Sequence, residues 1–241
     1  MQKSHSSLPP MNLFGSLIIF GTAGCILYAE THFLIPWLAF ITGYEPIVFW
    51  FVIAGAGIFL PMLIVALIIL NREGLALSIP VWRDRMRFRK MNSVDWLWSL
   101  SGIISTGIVS GVVIWLLNIL LGSTDHQPPF MRFEPLTHDR CWILLLWLPY
   151  WILNIMGEEI LWRGIILPRQ EVSFGKSTWL IHAILWGIFH IAFGWKLVLT
   201  IAPILFIQSY IVQRRQNTWV GVVIHAGVNG PSFLAISFGL L

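Results

Sequence analysis

The sequence predicts an all-α polytopic membrane protein of about seven transmembrane helices, eight if its first apolar stretch divides, built around a polar intramembrane cavity. Three observations predict it. Of 241 residues, 57% are hydrophobic and only 11% charged, whereas soluble domains carry about a quarter charged residues. The apolar residues come in long runs, each near the roughly 20 that cross a hydrocarbon core. A few ionisable side chains nevertheless sit inside those runs, where burial is costly and a polar lining is the simplest way to keep them.

The first crossing falls within Met11–Ile41 and is interrupted by Glu30, Thr31 and His32, so it is tilted, kinked or partly interfacial, as one span or a span plus a half-helix. The others are Pro46–Leu70, Asp95–Leu121, Cys141–Pro168, Thr178–Gly194, Leu197–Val212 and Trp219–Leu240. Gly107 and Gly111 in the third form a GxxxG that would let another helix approach closely. The chain thus divides into a polar tail (1–10), a three-helix membrane region (11–121) with a basic loop at 71–94, an outer loop (122–140) containing Pro128, Pro129 and Pro135, and a region (141–241) that holds the chemistry. The first run is long and lacks a convincing small-residue cleavage site, so it is expected to stay as a span.

Loop charges orient these spans. The tail, the 71–94 loop, the 169–177 loop and the 213–218 turn share one side and carry Lys3, Arg72, Arg83, Arg85, Arg87, Arg89, Lys90, Arg169, Lys176, Arg214 and Arg215. The other side has Arg132, Arg140 and Lys196. This asymmetry puts the N-terminus in the cytoplasm and the C-terminus outside; the membrane is expected to be the inner (cytoplasmic) one. It also accounts for the net charge of +4 without nucleic acid as a partner. The segment Val81–Lys90 interleaves basic and apolar residues; it reads as a topology anchor or as an interfacial segment for anionic lipids at Arg83–Lys90. Two cysteines, Cys25 and Cys141, cannot build a disulfide framework or a thiolate zinc site alone, and both read as small apolar residues.

The fourth span contains Glu158 and Glu159, followed by Arg163. Four residues apart on a helix, Glu159 and Arg163 share a face and can form an ion pair, which is how membrane charges are usually tolerated. Glu158 is rotated about 100° away and is not neutralised by that pair. The fifth span brings His190 and the seventh His225, with Asn229 one turn later on the same face. Small residues Gly227 and Gly230 permit close approach there, and Pro231 weakens the helix beyond. Three helices can therefore present Glu158, His190, His225 and Asn229 to one cavity. A desolvated glutamate suits a general base acting on water, a neutral histidine can orient that water, and a second histidine with an amide offers donors to an oxyanion. Together they suit amide hydrolysis without a covalent intermediate. His182, His32, Trp186, Phe189 and Phe193 read as packing residues.

Glu158–Glu159–x3–Arg163, then Trp186–x3–His190, then His225–x3–Asn229, resembles the CPBP family of intramembrane proteases, which groups type II CAAX prenyl endopeptidases with bacterial relatives linked to bacteriocin processing and immunity. The resemblance spans about Leu144 to Gly230; it departs at Trp186, where the family usually has phenylalanine. It implies that Glu158 with His190 activates the attacking water, that His225 and Asn229 stabilise the oxyanion, that Glu159 and Arg163 support them, and that catalysis needs no metal. The implied substrate is a peptide or a membrane protein, cut near the cytoplasmic side.

Three rivals stand beside this reading. Glu158, His190 and His225 could supply three ligands to zinc, although no HExxH is present. The chain could be a scaffold of the same fold that regulates a membrane partner. It could also be a proton-coupled transporter, which would explain buried Glu and His, but no inverted repeat is visible. The oligomeric state is not legible.

Overall fold

The computed structural model describes residues 8–76, 78–122, 128–132 and 134–240. Most of the expected tail, with Lys3, and residues 123–127 of the expected outer loop lie outside the described residues. The described chain is helical, with six helical stretches long and apolar enough to cross a membrane: Leu13–Thr42, Pro46–Arg72, Ser93–Leu121, Ile143–Phe193, Trp195–Arg215 and Thr218–Ser237. The protein is an all-α polytopic membrane protein.

Six stretches contain seven rods. Ile143–Phe193 is 51 residues long, about 76 Å if straight, more than twice a hydrocarbon core of about 30 Å. It reverses at Gly175, whose φ of +57° is a backbone state that favours glycine. Thr178 Oγ1 closes the turn by donating to the Gly175 carbonyl at 2.8 Å, and His182 Nδ1 meets Gln170 Oε1 across the hairpin at 2.7 Å. The fourth span is therefore 143–174 and the fifth runs from Thr178 to Phe193. Residues 169–174, expected as loop, are the last turns of the fourth span. The first stretch is a single 30-residue rod, so the alternative with a separate half-helix does not hold.

Three of these rods contain π-helical turns, at Glu30–Leu34, Trp50–Phe59 and Glu159–Ile166. Each ends two residues before a proline: Pro36, Pro61 and Pro168. Proline cannot donate to the carbonyl four residues back and its ring crowds it; widening the preceding turn to i→i+5 bonding accommodates this without ending the rod. Two of the three turns begin at an intramembrane glutamate.

Contacts sort the loops into two ends as the charges suggested. At the basic end, Glu73 accepts from Arg85 Nε and Nη2, both at 2.7 Å, and from Arg169 Nη2 at 2.6 Å. Glu171 binds Arg87 and Gln216, and Arg215 pairs with Asp95 at 2.8 Å. At the other end Arg140 pairs with Glu45, and Leu136 N–H donates to the Ser237 carbonyl at 2.8 Å. The basic loop is folded: Ile79–Arg85 is a short helix, Arg85 reaches the Gly164 carbonyl, and Thr218 donates to the Met86 and Arg87 carbonyls. Arg83, Arg89 and Lys90 stay exposed. The GxxxG expectation is corrected: nothing lies within 4 Å of a Cβ on Gly107 or Gly111. The close approach occurs instead at Gly157, where a Cβ would meet the Phe59 carbonyl oxygen at 2.6 Å, and at Gly24, which packs on the backbone of Ile188 and Phe189.

Burial pushes the Glu73 carboxyl up, but hydrogen bonds and charge from Arg85 and Arg169 outweigh it and hold the group below its ordinary value. A carboxyl lowered in the folded state stabilises above its unfolded pKa, and that contribution is lost as the pH falls through the folded one. Glu73→Gln should therefore cost about 2 kcal/mol at neutral pH and flatten the acid limb of thermal unfolding in detergent; equal acid limbs for variant and wild type would contradict this.

Candidate active site

The fourth span carries its polar residues one turn apart, Asn154 then Glu158, and that spacing stacks them on one face. Asn154 Nδ2 donates to Glu158 Oε1 at 2.8 Å. The other oxygen, Oε2, accepts the indole N–H of Trp186 from the fifth span. Glu158 is buried and does not itself line the cavity, although it was expected to; Asn154 and Trp186, which bind it, do.

Glu159 faces the other way. Its Oε1 contacts Arg163 Nη1 at 3.2 Å, accepts from Gln208 Nε2 of the sixth span at 2.7 Å, and lies 2.9 Å from His225 Nδ1 of the seventh. Gly221 is glycine for this reason: a Cβ there would collide with Glu159 Oε2. Arg163 has no exposed surface, and its guanidinium stacks on the Trp186 ring 3.5 Å from the centroid, a cation–π contact strengthened by desolvation. The expected Glu159–Arg163 pair is present, but Glu159 also orients His225. Trp186 is not mere packing: it contacts Glu158 through its N–H and Arg163 through its face, and its ring centroid lies 5.5 Å from that of His190 and 5.6 Å from that of His225.

His190 ends the helical part of the fifth span, where the chain passes into the 3-10 turn His190–Phe193. Its Nδ1 is 2.9 Å from the Trp186 carbonyl. A carbonyl only accepts, so Nδ1 carries the proton and Nε2 of the neutral ring is left as a base. His225 is held at the same ring atom by a different acceptor, its Nδ1 lying 2.9 Å from Glu159 Oε1.

Asn154, Trp186, His190, His225, Asn229 and Ser232 meet at a cavity of about 260 Å³. The expectation of a polar cavity needs correcting, because most of its wall is aromatic and aliphatic, including Trp50, Tyr150, Phe193 and Phe233. It extends toward Pro128 and Met131, away from the basic end. The seventh helix continues through Pro231 to Ser237, so that proline does not end it; His225 and Asn229 share the cavity face as their spacing requires. His182 is a buried packing residue bound to Gln170, and Cys25 and Cys141 are free thiols. Among the described residues no three His, Cys, Asp or Glu side chains converge on a point that could hold a metal ion.

Asn154, Gln208 and Gly221 escaped the sequence reading. Asn154 was within reach, as a lone amide one turn before Glu158. Gln208 and Gly221 were not, since only the packing of three spans reveals what they touch.

Residues 140–230 match the family model described as Rce1-like, type II CAAX prenyl endopeptidase. The match agrees with the family resemblance read from the three motifs and contains all of them, from Glu158 to Asn229. It supports a multi-pass membrane protein with protease activity in general terms. No curated protein and no solved structure matches the chain.

Removing one member of a buried ion pair strands the other, at a cost of about 3–5 kcal/mol. Arg163→Met should therefore destabilise strongly, and Glu159→Gln added to it should recover part of the loss, as measured by denaturant titration in detergent. Additive losses would mean that the two charges are not coupled.

Proposed function

We propose that the protein is an intramembrane endopeptidase that hydrolyses a peptide bond of a peptide or membrane-protein substrate, with water as nucleophile. The observation that carries this reading is that His190, His225 and Asn229 line one apolar cavity together with Asn154 and Trp186, the two residues that bind Glu158. Two of the histidine nitrogens are tied back, Nδ1 of His190 to a carbonyl and Nδ1 of His225 to Glu159. Each ring therefore has its Nε2 for substrate chemistry.

In the proposed step Glu158, with His190, takes a proton from water as the oxygen attacks the carbonyl carbon. Glu158 is already held by Asn154 and Trp186, and each carboxylate oxygen retains a further acceptor site. The oxyanion is received by the Asn229 amide and by Nε2–H of the His225 imidazolium, balanced by Glu159; such donors act strongly in a water-poor site. As the C–N bond breaks, the proton taken from water passes to the leaving amine. The apolar wall binds the substrate's side chains and keeps bulk water out.

The route proposed is metal-independent: Glu158, held by the Asn154 amide and the Trp186 N–H, acts on water directly. For orientation we propose that the basic end is cytoplasmic, with the N-terminus there and the C-terminus outside, in the inner membrane. The scissile bond would then sit at the cavity floor, toward the cytoplasmic half. Exposed Arg83, Arg89 and Lys90 are proposed to rest against anionic headgroups.

Glu158→Ala and His190→Ala should each reduce turnover on the order of 10²–10⁴-fold, the range for a general acid–base group, and His225→Ala on the order of 10²–10³-fold, the range for an oxyanion donor, while the protein still inserts. The check compares peptide termini in membranes holding wild type or Glu158→Ala at equal abundance. Termini found only with wild type identify substrate and cleavage site together; undiminished cleavage by Glu158→Ala would overturn the proposal.

A further inference from the structure

One intramembrane carboxyl takes no part in the proposed chemistry. Glu30 begins the π-helical turn of the first span and is 8% exposed. Its Oε2 is buried without a hydrogen-bond partner, and its Oε1 fills the space that a Cβ on Gly57 of the second span would occupy. Glu30 is 12 residues from the end of its span at Thr42 and Gly57 is 11 from the start of the next at Pro46, so both lie about 17–18 Å along their helices from the less basic end. That is the middle of the hydrocarbon, where acyl chains offer no hydrogen bond and water is absent.

Glu30 lines a shallow groove of about 570 Å³ with Ile26, Ala29, Phe33, Leu34 and Trp37. These positions recur every three or four residues and make one stripe along the helix, about 16 Å long. Phe33 is 67% and Trp37 56% exposed. Acyl chains satisfy the apolar part of such a stripe but leave the carboxyl unpaired, which intramembrane charges seldom are. Among the described residues, this chain's own amide, lysine and arginine side chains are turned inward or lie near span ends, and the exposed His32 beside Glu30 is engaged by Thr31, the Tyr28 carbonyl and the Tyr28 ring, so the donor is assigned to another protein.

We infer that this groove docks a transmembrane helix of another membrane protein, one that presents an amide or ammonium side chain to Glu30. The helix lies along the Ile26–Trp37 stripe, its apolar residues cover Phe33 and Trp37, and its donor completes Glu30. Interhelical hydrogen bonds of this kind drive association in bilayers.

The test uses the full-length protein carrying a fluorescence donor in phosphatidylcholine vesicles, with acceptor-labelled leucine-rich transmembrane peptides bearing a central Asn, a central Lys or Leu throughout. Wild type should bind the Asn and Lys peptides about tenfold more tightly than the all-Leu peptide. Glu30→Leu should abolish both preferences, and Glu30→Gln should keep the one for Asn and lose the one for Lys. Thermal unfolding of each variant controls for folding. Equal binding of all three peptides to wild type would overturn the inference, as would a preference that survives Glu30→Leu. Energy transfer between two labelled copies that Glu30→Leu removes would also overturn it, by giving the groove to self-association.

Discussion

A guanidinium with no exposed surface stays charged inside a membrane protein only if a carboxylate neutralises it and aromatic faces replace its water. Arg163 is in that position, and the candidate site is organised around it. Glu159 neutralises it along the same helix. That carboxylate then serves as the anchor for Gln208 and His225 from two other spans. The Trp186 ring covers the cation, which fixes where its N–H points, and that N–H meets Glu158. One buried charge therefore orients both the candidate base and the candidate oxyanion donor without touching the cavity.

Much of this was legible because a bilayer simplifies the code. Apolar runs gave the rods, loop charge gave the two ends, and the i, i+4 rule placed Glu159 with Arg163 and His225 with Asn229. What was not legible depends on contacts between distant segments. Gln208 is a lone amide in an apolar helix, and its partner lies 49 residues away. The cavity was expected to be polar because the sequence shows which residues are polar; the wall is set by how aromatic residues from four spans pack. Gly107 and Gly111 matched a packing motif yet meet nothing, whereas Gly157 and Gly221, which belong to no motif, have Cβ positions already taken.

The helix irregularities follow a rule that was present in the sequence but went unread. Each proline that closes a π-helical turn lies two residues beyond it, while Pro149, Pro203 and Pro231 sit inside α-helical segments with no such turn before them. A π turn rotates the residues after it relative to a regular helix. Arg163, inside the turn, and the residues beyond it thus project differently from what a straight α-helix would give.

The two glycines that make room for carboxylates differ in when they become available. Gly57 belongs to the span directly after Glu30, so those two can meet as a hairpin as soon as the second span has been made. Gly221, Gln208 and His225 are supplied by the last two spans. While the chain is being synthesised, Glu159 and Arg163 are inside the fourth span with only each other for company, and the groups that finish their surroundings arrive some fifty residues later. Membrane insertion of this protein therefore has a most exposed moment in its schedule, between the fourth span and the seventh. A chain stopped there would present an incompletely partnered charge pair to whatever surveys unfinished proteins in the bilayer.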